Sequence, residues 1–172
     1  LAEEDGYAKK LADAGFPLYS CSFDGTGDKV WQQLRGRPLA EVKETCIRNC
    51  DTAHLGVTLS YASARRNIHE IGDIIRFAIK NSPAVRGVHF QPVSFLGHMP
   101  HLPVDEDRFT LDELLYELRT QAGKWIHQED IAPSACDHPL CGFHGDFVVM
   151  PDRTLMPLTR RGSSQGECCC GV

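Results

Sequence analysis

The sequence lacks any apolar run approaching the roughly 20 residues that a helix needs to cross a bilayer, so a helical membrane span is excluded. It lacks an excess of positive charge. Its 18 Lys and Arg stand against 23 Asp and Glu for a net charge of -5, and the basic residues are scattered apart from the pairs Lys9-Lys10, Arg65-Arg66 and Arg160-Arg161. A chain of this sign carries no electrostatic footprint for nucleic acid. It lacks the basic-then-apolar start of a secretory leader, because LAEEDGYAKK is acidic and reads as helix. The expected compartment is therefore cytoplasmic. It also lacks an initial Met, which gives the expectation of a piece of a longer chain. Cysteine, in contrast, is plentiful at 8 in 172 residues. Without a leader, and at this size, those thiols point to metal or redox chemistry rather than to a disulfide scaffold.

The stretch Leu18–Leu39 organises the rest. Leu18–Phe23 reads as a strand, and Asp24-Gly25-Thr26-Gly27 breaks it with turn chemistry. Asp28 is placed to cap a helix through Val30, Trp31 and Leu34, which Gly36 and Pro38 stop. Ahead of it, Ala2–Ala14 has helical spacing with Gly15 as its end; after it, Leu39–Ala53 is a second helix and Val57–Tyr61 a second strand. Asn67–Asn81 carries an apolar stripe of isoleucines, with Asn67 and Glu70 in capping-box spacing. Val85–Val93 is a third strand, Phe95–Asp107 a loop, and Thr110–Ala122 a capped helix. Trp125–Cys141 is irregular, and Asp146–Met150 and Thr154–Met156 flank the turn Pro151-Asp152-Arg153 as a hairpin. Strands alternating with helices predict an α/β fold with about three to four parallel strands. Three such units cannot close an eight-stranded barrel, so the sheet is either small and open or part of a larger barrel.

The phrases FDGTGDKVWQQLRGRPLAEV and VTLSYASARRNIHEIGDIIRFA resemble the second half of a radical SAM core. With VRGVHFQPVSFLGHMP, DEDRFTLDELLYELRTQAGKWI and CDHPLCGFHGDFVVMPDRTLMPLT, residues 2–160 resemble the group of tetraether lipid synthase-like proteins and TrsS-type radical SAM (seleno)proteins. The resemblance implies a partial (β/α) barrel over 1–125, a Cys/His loop and hairpin extension over 126–159, and a disordered Cys-containing tail over 160–172. It implies S-adenosyl-L-methionine and a 4Fe-4S cluster as cofactors, and a 5′-deoxyadenosyl radical acting on a lipid-like or small-molecule substrate. A ferredoxin or flavodoxin would be the reductant. By position, Ser22 and Asp24 would hold the ribose or amino-acid part of the cofactor with Ser60, and His89 and Gln91 would flank its adenine or the substrate. The plainer reading makes the serines packing residues and Asp24 a turn or cap.

The family holds its cluster with Cys-x3-Cys-x2-Cys, and no such triplet occurs here: Cys46-x3-Cys50 is followed by Ala53. Arg66 also stands where the family has glycine. The chain alone is therefore expected not to cleave S-adenosyl-L-methionine.

A second cluster is Cys136, His138, Cys141 and His144, within one segment broken by Pro139 and Gly142. Thiolates and imidazoles so placed suit a soft or borderline metal, or an auxiliary cluster; two packing thiols are the alternative. Cys46 and Cys50 share a helical face and read as buried small hydrophobes. Arg35 and Arg37 suggest an anion site, a salt bridge or a solvated helix end. Cys168-Cys169-Cys170 suggests a redox-active or metal-scavenging tail. Two further function classes stand beside the enzyme: a metal-binding or redox module on Cys136 and Cys141, and an inactive truncated remnant.

Overall fold

The computed structural model describes residues 1–97, 102–134 and 142–159. The fold is mixed α/β, and the chain divides into two compact units, Leu1–Thr110 and Leu111–Val172. The first begins with helix α1, Tyr7–Asp13. It is shorter than the Ala2–Ala14 periodicity predicts, because Gly6 at its head is left-handed with φ 73° and so sets the start of the helix. Strand β1, Leu18–Ser22, leads to α2, Asp28–Arg35, which Gly36 ends at φ 73°. Then come α3, Ala40–Thr52, and β2, Gly56–Ser63, followed by a short 3-10 turn, Ile68–Glu70, that runs into α4, Ile71–Lys80. Strand β3, Val85–Pro92, closes the series.

The three strands form one parallel sheet in the order β1-β2-β3. Long connections of helix between consecutive strands make parallel pairing the accessible topology. Among the described residues the sheet has these three strands and no closed barrel is formed. Along β2 burial alternates from Val57 to Ser63, so each strand has a covered and an uncovered face. Cys21, Phe23, Val57, Leu59 and Tyr61 on the covered face are at most 1% exposed, as are Trp31, Ile71 and Ile74 from the helices. Helix α3 packs on β2 and α4 on β3. Full burial of each such aliphatic side chain contributes about 1.5–3 kcal/mol. Phe23 stacks on Phe77 at 4.7 Å and meets Trp31 edge-on at 6.1 Å.

Two expected caps take other partners. Asp28 caps no turn of its own helix; its carboxylate accepts the Ala40 N–H at 2.9 Å and so caps the start of α3. Asn67 and Glu70 form no capping box either, since both side chains turn toward the end of β1. In each case a tertiary donor or acceptor outcompetes the local one.

In the second unit, α5, Leu111–Ala122, buries Leu114, Leu118 and Ala122 at i,i+4 spacing. A two-stranded antiparallel pair joins β4, Ala132–Pro133, to β5, Phe143–His144. The predicted hairpin is present as β6, Phe147–Val149, paired with β7, Leu155–Pro157. Its turn is held by Asp152, which accepts from the Thr154 N–H and hydroxyl.

Candidate functional site

The uncovered face of the sheet is where the predicted binding residues meet. The register aligns Ser22 with Ser60 and Ser60 with His89, so the three side chains form one row across the strands. The row below is Ser20, Thr58 and Gly87, and above it Ala62 pairs with Gln91. Ser22 and Ser60 are half-buried, and His89 and Gln91 are exposed. Cys21, Leu59 and Val88, one residue earlier on each strand, align on the opposite face. Two hydroxyls, an imidazole and a carboxamide thus lie near the carboxyl ends of parallel strands, where open α/β sheets bind ligands.

Asp24 lies just beyond β1 and is 0% exposed. One carboxylate oxygen accepts the Ala62 N–H at 3.1 Å; the other lies 2.7 Å from Nε and 2.6 Å from a terminal nitrogen of Arg35. Both oxygens are therefore engaged within the chain. Arg35 is 46% exposed, and its other contact is the Ser22 hydroxyl at 3.5 Å. Of the three readings of Arg35, the salt bridge is the one formed.

Sequence reasoning missed Asn67, Glu70 and Tyr61, which complete this arrangement. Asn67 is 0% exposed; its amide nitrogen donates to the carbonyls of Asp24 and Ala62, each at 3.0 Å, and its amide oxygen accepts the Ala64 N–H at 2.8 Å. The Tyr61 hydroxyl donates to the Asn67 carbonyl, and burial raises its phenol far above the ordinary range. Glu70 accepts the Thr26 N–H at 2.7 Å and its hydroxyl at 3.2 Å. Gly25 is needed beside it, since a Cβ there would lie 2.8 Å from Val30 Cγ1 and 3.0 Å from the Glu70 carboxylate. The signal for Asn67 in the sequence was a polar residue at the head of the isoleucine helix, past the Arg65-Arg66 pair that follows β2; the helix-cap reading absorbed it.

Cys136, His138 and Cys141 lie outside the described residues, and His144 is exposed on β5. Among the described residues no group of three or more His, Cys, Asp or Glu side chains could hold a metal ion. Cys21, Cys46 and Cys50 are buried free thiols away from the uncovered face. They do not fit the ligand set of a 4Fe-4S cluster, which needs thiolates converging on an open site.

No protein-family model matches the chain. Among curated proteins it is similar to a 7,8-dihydro-6-hydroxymethylpterin dimethyltransferase from Methanocaldococcus jannaschii, 30% identical over 176 aligned residues that cover 90% of this chain. The chain spans about a third of that relative's length, 35%. This corrects the assignment to the tetraether lipid synthase-like and TrsS-type group: a pterin dimethyltransferase matches nearly the whole chain, and nothing found ties it to a TrsS-type protein. No described helix is long and apolar enough to cross a membrane.

Proposed function

We propose that this chain is part of a radical SAM enzyme and supplies strands of its (β/α) barrel, with residues 1–125 belonging to that barrel and 126–172 to an extension and tail. The uncovered sheet face would hold S-adenosyl-L-methionine beside a small heteroaromatic substrate of the pterin class. The observation that carries the reading is the row Ser22, Ser60 and His89. Strands about 4.8 Å apart make such a row roughly 10 Å long, comparable to a nucleoside. The similarity to a pterin dimethyltransferase supports the substrate class.

The half-buried hydroxyls fit a ribose or an amino-acid moiety, because each both donates and accepts. His89 and Gln91, exposed on β3, fit the edge of a heterocycle. When bound, S-adenosyl-L-methionine would supply its methyl or adenosyl group. Ser22 and Ser60 would orient it, and Asp24 would act at one remove by fixing Arg35 and the end of β2. The described cysteines, buried away from this face, do not fit an iron–sulfur cluster. Cys136, His138, Cys141 and His144 form a separate metal proposal.

The test is isothermal titration of the chain with S-adenosyl-L-methionine and, separately, with 7,8-dihydro-6-hydroxymethylpterin. Saturable binding of the first is expected, weakened by Ser60→Ala and His89→Ala without loss of folded structure. Binding that both variants leave unchanged would overturn the site, and no binding of either compound would overturn the reading.

A further inference from the structure

Pairing between β2 and β3 shifts at one place. Val57 aligns with Val85 and Thr58 with Gly87, so Arg86 is an extra residue with no register partner on β2. A one-residue bulge of this kind reverses the phase of the strand beyond it. Val85 is on the covered face and 5% exposed. Unbroken alternation would put Gly87, His89 and Gln91 on that same side, yet they lie in register with Thr58, Ser60 and Ala62 on the uncovered face. The bulge therefore delivers His89 to the proposed cofactor face. Phe90 goes the other way and meets the buried Tyr61 ring at 5.6 Å.

Two glycines lie at this bulge, and they differ. A Cβ at Gly56 would lie 2.5 Å from Nε of Arg86, so Gly56 makes room for the extra residue. A Cβ at Gly87 would meet no atom of the described residues within 4 Å, and Gly87 is not left-handed. Neither packing nor backbone conformation asks for glycine there, although glycine weakens a strand interior. The remaining use of a glycine inside a strand is close approach by a ligand.

We propose, resting on the function given above, that Gly87 is the specificity-determining position of this face. It leaves bare backbone on which the flat side of a pterin-class heterocycle lies, one row below Ser22, Ser60 and His89. Gly87 is two residues before His89, roughly 6.6 Å along the strand. A ring in van der Waals contact with the Gly87 peptide, about 3.5–4.0 Å from it, brings one edge toward His89 and another toward the Thr58 hydroxyl, the neighbour of Gly87 in register. A hydroxyl and a neutral imidazole each donate and accept, which matches the amino, carbonyl and ring-nitrogen groups along a pterin edge. A side chain at position 87 would lift the ring off the sheet and away from both partners. The cofactor, one row further up, would keep its contacts with Ser22 and Ser60.

The test titrates the parent chain, Gly87→Ala and Gly87→Val calorimetrically with 7,8-dihydro-6-hydroxymethylpterin under nitrogen and, separately, with S-adenosyl-L-methionine. The pterin should bind the parent. It should bind Gly87→Ala about tenfold more weakly, the scale of one extra carbon in a fitted site, and Gly87→Val more weakly still. S-adenosyl-L-methionine should bind all three alike. Both variants should unfold at or above the Tm of the parent, since the space at position 87 is open and valine favours strands. Equal pterin affinity across the three proteins would overturn the role of Gly87 and leave the Ser60 and His89 variants to decide the face itself. Equal loss of both ligands would overturn it as well, because position 87 would then not select between them. A Tm below that of the parent would do the same by showing that the fold needs the glycine. Failure of the parent to bind the pterin also overturns it, and failure to bind either compound overturns the function proposed above too.

Discussion

Replacing Asp24 by Ala removes a fully buried carboxylate that bridges α2 and β2. The Ala62 N–H, which that carboxylate accepts at 3.1 Å, would lose its partner, at about 1–3 kcal/mol for a buried orphan donor. Arg35 would lose its ion pair but, being 46% exposed, would rehydrate, so that loss is nearer the roughly 1 kcal/mol of a screened pair. The expected total is about 2–4 kcal/mol, a fall in Tm of about 4–16 °C at about 2–4 °C per kcal/mol for a chain of this length. Arg35→Ala should cost as much or more, about 3–5 kcal/mol, because it leaves the carboxylate at 0% exposure with the Ala62 N–H alone. The double variant should be less destabilised than the sum of the two, since each single change already breaks the shared contact. Thermal and urea unfolding of the four proteins measures this cycle. If Asp24→Ala lies within about 0.5 kcal/mol of the parent, as an ordinary surface change does, or if the two effects simply add, the bridge does not hold the strands as argued.

Asn67→Asp should destabilise more than Asn67→Ala, although it is the closer shape, because it turns a carboxylate oxygen toward the Asp24 and Ala62 carbonyls; urea midpoints of the pair decide it. Tyr61 gives a pH dependence. Its folded-state phenol is raised, so its contribution to stability is present below about pH 10 and is lost as pH climbs from there toward the folded value. Tyr61→Phe should flatten that alkaline loss without abolishing it, since burial also raises Tyr19, to about 12; unfolding free energies measured across the alkaline range would show no flattening if the hydroxyl is not buried as described.

The parallel sheet was legible because its signals are local. Val57–Tyr61 is β-branched and aromatic, the isoleucines of α4 repeat at helical spacing, and Gly36 marks the end of α2. That His89 and Gln91 share a face was legible too, since side chains alternate along a strand, but the row Ser22, Ser60 and His89 was not, because it is set by the register between strands. The partners of Asp28, Asn67 and Glu70 were not. A short polar residue beside a helix start reads as a cap, and only the folded chain presents the rival partners, Ala40, Asp24 and Thr26, from 12, 43 and 44 residues away. The three readings of Arg35 stayed open for the same reason: its carboxylate lies across a turn and on another element.

That long-range network explains how a polar face can be rigid while remaining open. Ser22 and Ser60 are the last register pair between β1 and β2. The Phe23 N–H continues the ladder to the Ser60 carbonyl at 2.8 Å, and Asp24 then clamps Ala62 while Asn67 ties Asp24 back to the same segment. Every one of these bonds is made behind or beyond the hydroxyl row, leaving the Ser60 side chain free of structural duty. Stability and ligand affinity should therefore separate by residue. Ser60→Ala should alter binding with little change in unfolding, and Asn67→Ala should lower both, because it loosens the frame on which the row is hung. The order of the two effects in one set of variants distinguishes a ligand-holding face from one that only happens to be polar.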